Sequence, residues 1–282
     1  MKKFNSIYLI GLCLILLTGG RIQAAGSKHR SNHWYAPSSQ SYQALWQSIK
    51  SSRTEHKPIR VVHLGDSHIT SGFTTAPIRE QLSRQYGDSV QVQYWGINGA
   101  TYVTYSIQAE IDRIVKAKPD LLIVSLGTND SYTFRFSAEE FRANMATFFT
   151  LLEKSLPDLP IVLTTPPPSF LKKASRVAST TTRKRGKRRQ TYRTVTNYSY
   201  NKNTNTAART MDYLARQRGY ALINLYASIG SEREAKHWLA KGWMHTDRTH
   251  YTVPGYTKHG EYIAGALVEM IEQKSKPASG HK

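Results

Sequence analysis

The sequence predicts an α/β fold in which helices cover both faces of a parallel β-sheet. Five short apolar runs recur along the chain, and the segments between them carry apolar residues at the spacing of amphipathic helices. Alternating strands and helices of this kind are typical of parallel sheets, because each helix must lead the chain back to the starting edge. The chain has 282 residues and no internal repeat, which suits one domain behind a leader segment.

The leader, residues 1–25, has the layout of a secretory signal peptide. Lys2 and Lys3 precede an apolar stretch over residues 7–17, and small residues end at Ala25. The stretch is short for a transmembrane helix, although an uncleaved anchor is the alternative. Cys13 lacks the preceding small residue of a lipidation site. We therefore expect export to the periplasm or beyond, and a mature chain with no cysteine and no stable membrane span.

The first elements follow a flexible lead-in that we expect over residues 26–40, which are polar and aperiodic. The domain, residues 41–282, then opens with a predicted helix over 41–51, whose apolar residues share one face. The run at 59–64 is uniformly apolar, as in a buried parallel strand. A second helix, over 76–86, ends at a glycine, and a second strand follows at 90–95.

The middle of the chain continues the alternation. Residues 107–116 are amphipathic and end before a proline, and residues 121–126 form a third apolar strand. Ser137 is a typical N-cap for a long helix over 137–152, because acidic residues fill its first turn, where the helix dipole favours them.

The last third adds two more strand and helix pairs. A strand is predicted at 160–165, a helix over 206–218 that ends at Gly219, and a fifth strand at 220–224. The final helix is predicted to start after the Pro254-Gly255 pair and to run to about residue 273.

One segment, residues 172–203, interrupts this alternation. It is poor in apolar residues, and the cations at its centre are Arg183, Lys184, Arg185, Lys187, Arg188 and Arg189. From Tyr192 to Tyr200, tyrosine and threonine recur at every second residue, as in a strand. A protruding hairpin that turns at Gly186 is one interpretation, and a disordered, solvated charge run is the other. In the first case, the six cations are candidate ligands for an anionic polymer near the active site.

The net charge predicts an anionic partner. The chain carries +20, and loss of residues 1–25 would remove three basic residues and no acidic one, which leaves about +17. For an exported protein, we expect a cell-wall polymer, an acetylated glycan or lipid headgroups. We expect no nucleic acid, since the sequence has no nucleic-acid-binding motif. The oligomeric state stays open.

Three polar motifs follow three successive predicted strands. Ser67 lies in Gly-Asp-Ser-His after the first strand, Gly99 follows the second, and Asn129 lies in Gly-Thr-Asn-Asp after the third. Ligands of parallel sheets bind at the carboxyl ends of the strands, so these residues should meet. Each has a plainer interpretation: Ser67 as a helix cap, Gly99 as a turn residue, and Asn129 as the end of a strand.

A hydroxyl needs an adjacent base to act as a nucleophile, and His250 is the candidate base for Ser67. Asp247 stands three residues before His250 and would orient its ring. The backbone N–H groups of Ser67 and Gly99 and the amide of Asn129 are candidate oxyanion donors. We expect no metal or cofactor, because the sequence has no metal-ligand spacing and no phosphate-binding loop. The Gly-x-Ser-x-Gly motif of α/β-hydrolases is also absent.

These motifs together resemble the blocks of the SGNH (GDSL-type) hydrolases. Gly-Asp-Ser-His resembles block I, Gly99 the block II glycine, Gly-Thr-Asn-Asp block III and Asp-x-x-His block V, all in the family's order. The resemblance implies a flavodoxin-like three-layer α/β/α sandwich with a five-stranded parallel sheet. It also implies a metal-free serine esterase with the triad Ser67, His250 and Asp247. His68 departs from the usual leucine of block I, and Thr128 from the second glycine of block III.

Gly-Asp-Ser-His together with residues 96–101 is similar to the bacterial peptidoglycan O-acetylesterases. The resemblance implies an exported esterase that removes acetyl groups from the muramic acid of the cell wall. A lipid or general acyl esterase and an O-acetyltransferase of the same fold are alternatives. A wall-binding module with a vestigial site is the non-enzymatic alternative.

Overall fold

The computed structural model describes the backbone of residues 33–182 and 188–272, and their side chains except at 179–182 and 188–190. The predicted signal peptide and the proposed hairpin turn at Gly186 therefore lie outside the described residues. None of the helices in the described ranges is both long and apolar enough to cross a membrane.

The strands belong to one large sheet and one hairpin. Their bounds are β1 (Trp34–Tyr35), β2 (Ile59–Gly65), β3 (Val90–Gly96), β4 (Leu121–Ser125), β5 (Ile161–Thr164), β6 (Phe170–Thr182), β7 (Arg188–Tyr200) and β8 (Ala221–Ile223). The large sheet has the order β1-β8-β5-β4-β2-β3, with β6 and β7 forming the hairpin. All neighbours in the large sheet are parallel except β1, which runs antiparallel to β8. In chain order, the five parallel strands are arranged 2-1-3-4-5, which is the flavodoxin-like order and confirms the predicted fold class.

The helices of the described ranges lie between and after these strands. Their bounds are α1 (Gln40–Glu55), α2 (Ser67–Thr70), α3 (Thr75–Tyr86), α4 (Tyr102–Tyr105), α5 (Gln108–Ala117), α6 (Thr128–Ser131), α7 (Ala138–Ser155), α8 (Lys202–Arg218), α9 (Leu225–Ile229), α10 (Glu232–Ala240) and α11 (Val253–Ile271). Two hydrophobic clusters form on the sheet, because successive strand residues point to opposite faces. One cluster contains side chains of α4, α5, α7 and α8, and the other contains side chains of α1, α3 and α11. This is the three-layer sandwich that the resemblance implies.

The lead-in predicted over residues 26–40 contains an ordered part. Trp34 and Tyr35 form the edge strand β1, and the Trp34 indole N–H donates a hydrogen bond of 2.6 Å to Glu269 in α11. Helix α1 begins at Gln40. Two residues are too few to show strand periodicity, which is why the polar sequence around them concealed this strand.

The insertion is a hairpin in the described residues. Strands β6 and β7 pair antiparallel over 13 residues each, from Phe170 opposite Tyr200 to Thr182 opposite Arg188. The described residues pair as the hairpin interpretation expects, whereas residues 183–187, at the centre of the charge run, lie outside them. The segment ends before the expected residue 203, because Asn201 caps α8 by accepting a hydrogen bond from the N–H of Asn203. The insertion thus spans residues 170–200.

Several helices were not predicted. Three of them, α2, α4 and α6, have four residues each and lie in the segments after β2, β3 and β4. The longer α10 buries only Ala235 and Trp238. Helices with so few buried positions do not produce a recognisable apolar period.

Candidate active site

The site lies at the carboxyl ends of β2, β3 and β4, where the strand order changes direction. Ser67 begins α2 immediately after β2, and Asp66 caps this helix by accepting a hydrogen bond from the His68 N–H at 2.9 Å. Helix α2 sits very close to the sheet. A Cβ at Gly65 would lie 2.3 Å from the Ile69 side chain, and one at Gly96 would lie 2.4 Å from the Thr70 nitrogen. Glycines at both strand ends therefore allow the tight turn that places Ser67 above the sheet.

The structure brings Ser67, His250 and Asp247 into one hydrogen-bonded chain. The Ser67 Oγ lies 2.9 Å from His250 Nε2, although 183 positions separate the two residues. His250 Nδ1 lies 2.8 Å from Asp247 Oδ2. A hydroxyl on one imidazole nitrogen and a carboxylate on the other is the arrangement that activates a serine.

The Asp247 carboxylate also shapes its own loop. Its Oδ1 accepts hydrogen bonds of 2.9 Å from the N–H groups of Thr249 and His250. Partial burial opposes ionisation of Asp247, but these two bonds and the contact with His250 outweigh it and lower the pKa. Asp247 is therefore ionised and able to stabilise a protonated His250. The intervening Arg248 adopts a left-handed backbone with φ of 59°, which closes the turn.

The predicted oxyanion donors lie on neighbouring loops. Gly99 has φ of 76°, a conformation that favours glycine. The Asn129 Nδ2 donates to the Ala100 carbonyl at 3.0 Å and to Asp66 Oδ2 at 3.3 Å. Both amide hydrogens therefore point to protein acceptors. To bind the Asn129 amide, an oxyanion would have to share or replace its longer hydrogen bond, which is the one to Asp66.

Comparisons with known proteins identify the family. Residues 63–258, which contain all these groups, match the profile of the GDSL-like lipase/acylhydrolase family. The chain belongs to this family. It is a carboxylic ester hydrolase of the SGNH type. A comparison with curated proteins finds no significant sequence match.

Solved structures of low sequence identity share the acylhydrolase fold. A peptidoglycan O-acetylesterase is 14% identical with a TM-score of 0.69, over 86% of this chain and 99% of that one. A carbohydrate esterase family 3 protein from Talaromyces cellulolyticus is 14% identical with a TM-score of 0.52, over 77% and 100%. An acetyl esterase variant solved with an acetate ion is 13% identical with a TM-score of 0.52, also over 77% and 100%.

The acylhydrolase has a second pair of charged groups beside the triad, Asp66 and His68. His68 is 6% exposed and Asp66 is 1% exposed. The His68 Nδ1 lies 2.9 Å from Asp66 Oδ1, and its Nε2 lies 3.1 Å from the carbonyl oxygen of Thr249. A carboxylate and a carbonyl oxygen both accept hydrogen bonds, so these contacts favour the doubly protonated, cationic form of the His68 ring. Burial disfavours this charge, but Asp66, the Thr249 carbonyl and the charge of Asp247 outweigh burial and raise the pKa of His68.

This Asp66–His68 pair links three parts of the site. Asp66 caps the nucleophile helix and accepts from Asn129, while His68 holds the loop between Asp247 and His250 through Thr249. The His68 ring also stacks on His250, with centroids 5.5 Å apart. The signal available in the sequence was a histidine two residues after an aspartate, where this family usually has leucine.

Replacing His68 with leucine should destabilise the acylhydrolase. The variant leaves the buried Asp66 carboxylate without its cation, and we expect the free energy of unfolding to fall by about 3 kcal/mol. Urea denaturation measures this change. The variant His68→Gln, which can still donate to the Thr249 carbonyl, should lose less. A loss below about 0.5 kcal/mol in His68→Leu would show that the pair is not a stabilising ion pair.

Two other polar residues near the site, His63 and Asp130, hold the fold together through hydrogen bonds. His63 is buried, with Nδ1 2.8 Å from Thr75 Oγ1 and Nε2 2.7 Å from Ser125 Oγ, and burial lowers its pKa to about 3. His63 is therefore a packed residue of the sheet. The Asp130 Oδ1 accepts from the Tyr102 N–H at 3.3 Å and so braces the loop after β3. Burial raises the pKa of Asp130 to about 6.

The six cations predicted to bind an anionic polymer are not placed by the structure. Arg183, Lys184, Arg185 and Lys187 lie outside the described residues. Arg188 and Arg189 belong to β7, but their side chains lie outside the described part. In the described ranges, no three His, Cys, Asp or Glu residues are grouped as a metal site would require.

Replacing Asn129 with alanine tests the oxyanion prediction. Loss of one preorganised donor costs on the order of 10²–10³ in kcat, because charge on the tetrahedral intermediate is then less well stabilised. Steady-state hydrolysis of p-nitrophenyl acetate measures the change. An Asn129→Ala variant with wild-type kcat would assign the amide to holding Asp66 and Ala100 alone.

Proposed function

We propose that this acylhydrolase is an exported serine esterase that removes O-acetyl groups from carbohydrates, with O-acetylated peptidoglycan as its substrate. The observation that carries the proposal is the hydrogen-bonded chain from Ser67 Oγ through His250 to Asp247. The family establishes ester hydrolysis, and this chain of bonds supplies a nucleophile, its base and the group that orients the base.

The proposed mechanism has two steps and uses side chains of this chain alone. His250 Nε2 accepts the Ser67 proton as Ser67 Oγ attacks the acyl carbonyl, and the oxyanion binds the N–H groups of Ser67 and Gly99 and the Asn129 amide. The protonated His250 then gives its proton to the departing sugar hydroxyl. In the second step, His250 takes a proton from water as the water oxygen attacks the acyl-enzyme carbonyl. The protonated His250 then gives this proton to Ser67 Oγ as the bond between Oγ and the acyl carbon breaks, which releases the carboxylic acid and restores Ser67.

A carbohydrate substrate is supported by the groove beside the oxyanion residues. This groove, of about 320 Å³, contains Asn129 in its wall. Only Val103, Phe136 and Phe141 among its eleven lining residues are apolar, and the others are polar or charged. A long acyl chain requires a largely apolar channel, whereas a sugar ring needs the hydrogen-bonding groups that this wall presents.

An acetyl ester on the cell wall is supported by the relatives and by the charge. The structural neighbours include a peptidoglycan O-acetylesterase and an acetyl esterase with bound acetate. A chain with +20 net charge and the layout of a signal peptide suits a polyanionic polymer outside the cytoplasm.

The deciding experiment compares acetate release from O-acetylated peptidoglycan, acetylated xylan and a lipid ester. We expect the highest kcat/KM on peptidoglycan, and a p-nitrophenyl ester series in which activity falls steeply from acetate to octanoate. Equal or rising activity on the longer esters would contradict the proposal in favour of a lipid or general acyl esterase. Acetylated glycan instead of free acetate as product would identify a transferase.

A further inference from the structure

The hairpin β6–β7 is strongly basic over its whole length. Residues 170–200 contain ten lysine and arginine residues and no aspartate or glutamate. At about 3.3 Å per residue, its 13-residue strands extend about 40 Å. An isolated two-stranded hairpin is only marginally stable in water. We therefore expect a hairpin of this size to bind a partner.

The strand register sorts the hairpin side chains into two faces. Residues directly opposite each other in an antiparallel pair share a face. Lys172 is opposite Tyr198, and the same face continues outwards to Arg176 and Tyr192. We call this the tyrosine face, and its described members are Phe170, Lys172, Ala174, Arg176, Ala178, Tyr192, Thr194, Thr196, Tyr198 and Tyr200. The opposite face includes Lys173 and Arg193, which makes the two faces similar in charge but different in their aromatic content.

The base of the tyrosine face contacts the loop that carries the triad. The Arg248 guanidinium lies 4.4 Å from the centre of the Tyr198 ring. The Phe170 N–H donates to the Arg248 carbonyl at 2.9 Å. Since Arg248 stands between Asp247 and His250, the tyrosine face begins beside the catalytic loop.

Beyond this contact, the tyrosine face is open to solvent. Lys172 and Arg176 are exposed, and neither forms an ion pair with a described residue. Tyr192 is 62% exposed. The small residue Ala174 lies between Lys172 and Arg176, and Ala178 follows Arg176 opposite Tyr192. The face therefore presents two cations and an exposed aromatic ring separated by shallow gaps.

We propose that the tyrosine face binds an extended glycan chain bearing carboxylates and leads it to Ser67. Tyrosine rings stack against the apolar faces of sugars, and Lys172 and Arg176 would pair with carboxylates along one edge of the chain. Phe170 on this face is buried, and its other described apolar side chains are alanines, which are too small to insert into a membrane; this favours a glycan over lipid. The proposal rests on the proposed function for the destination of the chain, since an ester on that glycan must reach Ser67.

Two charge-matched double variants test the face. Lys172→Gln with Arg176→Gln removes two cations from the tyrosine face, and Lys173→Gln with Arg193→Gln removes two from the opposite face. Co-sedimentation with de-O-acetylated peptidoglycan measures binding without chemistry. We expect the first variant to bind about tenfold more weakly and the second to change less than about twofold, because only the first removes direct partners. Tyr192→Ala should also weaken binding.

A kinetic ratio provides the second readout. The kcat/KM on O-acetylated peptidoglycan, divided by that on p-nitrophenyl acetate, should fall in the tyrosine-face variant and stay constant in the opposite-face variant. If binding and the kcat/KM ratio fell equally in both double variants, the net positive charge of the hairpin would explain the effect without a specific face, and the proposal would be overturned. If the protein bound polyglutamate or anionic phospholipid vesicles as tightly as peptidoglycan, or more tightly, the proposal that the ligand is a glycan would be overturned. If the protein bound peptidoglycan through this face but released no acetate from it, the proposed substrate would fail and the binding face would stand.

Discussion

Replacement of Ser67 with alanine is expected to reduce ester hydrolysis by on the order of 10⁶-fold, because it removes the atom that forms the acyl-enzyme. The Ser67 side chain makes one described contact, the 2.9 Å bond to His250 Nε2. The helix that carries it is held by the cap of Asp66 and by close packing of Ile69 on Gly65. Activity should therefore disappear without a change in fold.

The measurement is kcat on p-nitrophenyl acetate, with circular dichroism and a thermal melt to show that the fold is intact. The chain offers a matched control. Ser125 Oγ also lies on an imidazole nitrogen, 2.7 Å from His63 Nε2, but it is not next to a carboxylate–histidine pair. Ser125→Ala should keep kcat within about tenfold of the wild-type value. A Ser67→Ala variant with kcat above one hundredth of wild type would remove Ser67 from the mechanism.

Much of the site was predictable because parallel sheets bring strand ends together. Ser67, Gly99 and Asn129 follow successive strands, and the flavodoxin-like strand order places these ends side by side. His250 belongs to no strand. Its place opposite Ser67 could be inferred only from chemistry, since a serine nucleophile requires a base and Asp247 stands at the right spacing to orient one.

What could not be predicted depends on the direction of individual side chains. Asn129 was expected to face an oxyanion, but its two amide hydrogens point to Ala100 and Asp66, a detail that no spacing encodes. The role of His68 could not be predicted from the sequence, because one of its partners, the Thr249 carbonyl, lies 181 positions away. The sequence does not decide between a hairpin and a disordered charge run over residues 172–203, because strand periodicity is clear only from Tyr192 to Tyr200.

Replacement of Asp247 with asparagine should lower kcat by about 10⁴-fold while leaving the loop in place. The two oxygens of Asp247 have different partners, and this difference makes the substitution informative. Oδ1 accepts from the N–H groups of Thr249 and His250, whereas Oδ2 faces His250 Nδ1. The single oxygen of an asparagine can take over the two backbone bonds. Its NH₂ group is then directed at His250 Nδ1.

A donor at that position favours the wrong tautomer of His250. Nδ1 must then accept a hydrogen bond, the ring proton moves to Nε2, and the nitrogen that faces Ser67 no longer acts as a base. We therefore expect the loss in kcat, with KM little changed, and the tautomer can be read from the ¹⁵N chemical shifts of the imidazole. Asp212→Asn, which alters an exposed carboxylate paired with Arg216 in α8, is the control and should retain activity within about twofold. If Asp247→Asn kept more than about a tenth of the wild-type kcat, then the carboxylate would serve only to shape the loop, and Ser67 would draw its reactivity from His250 alone.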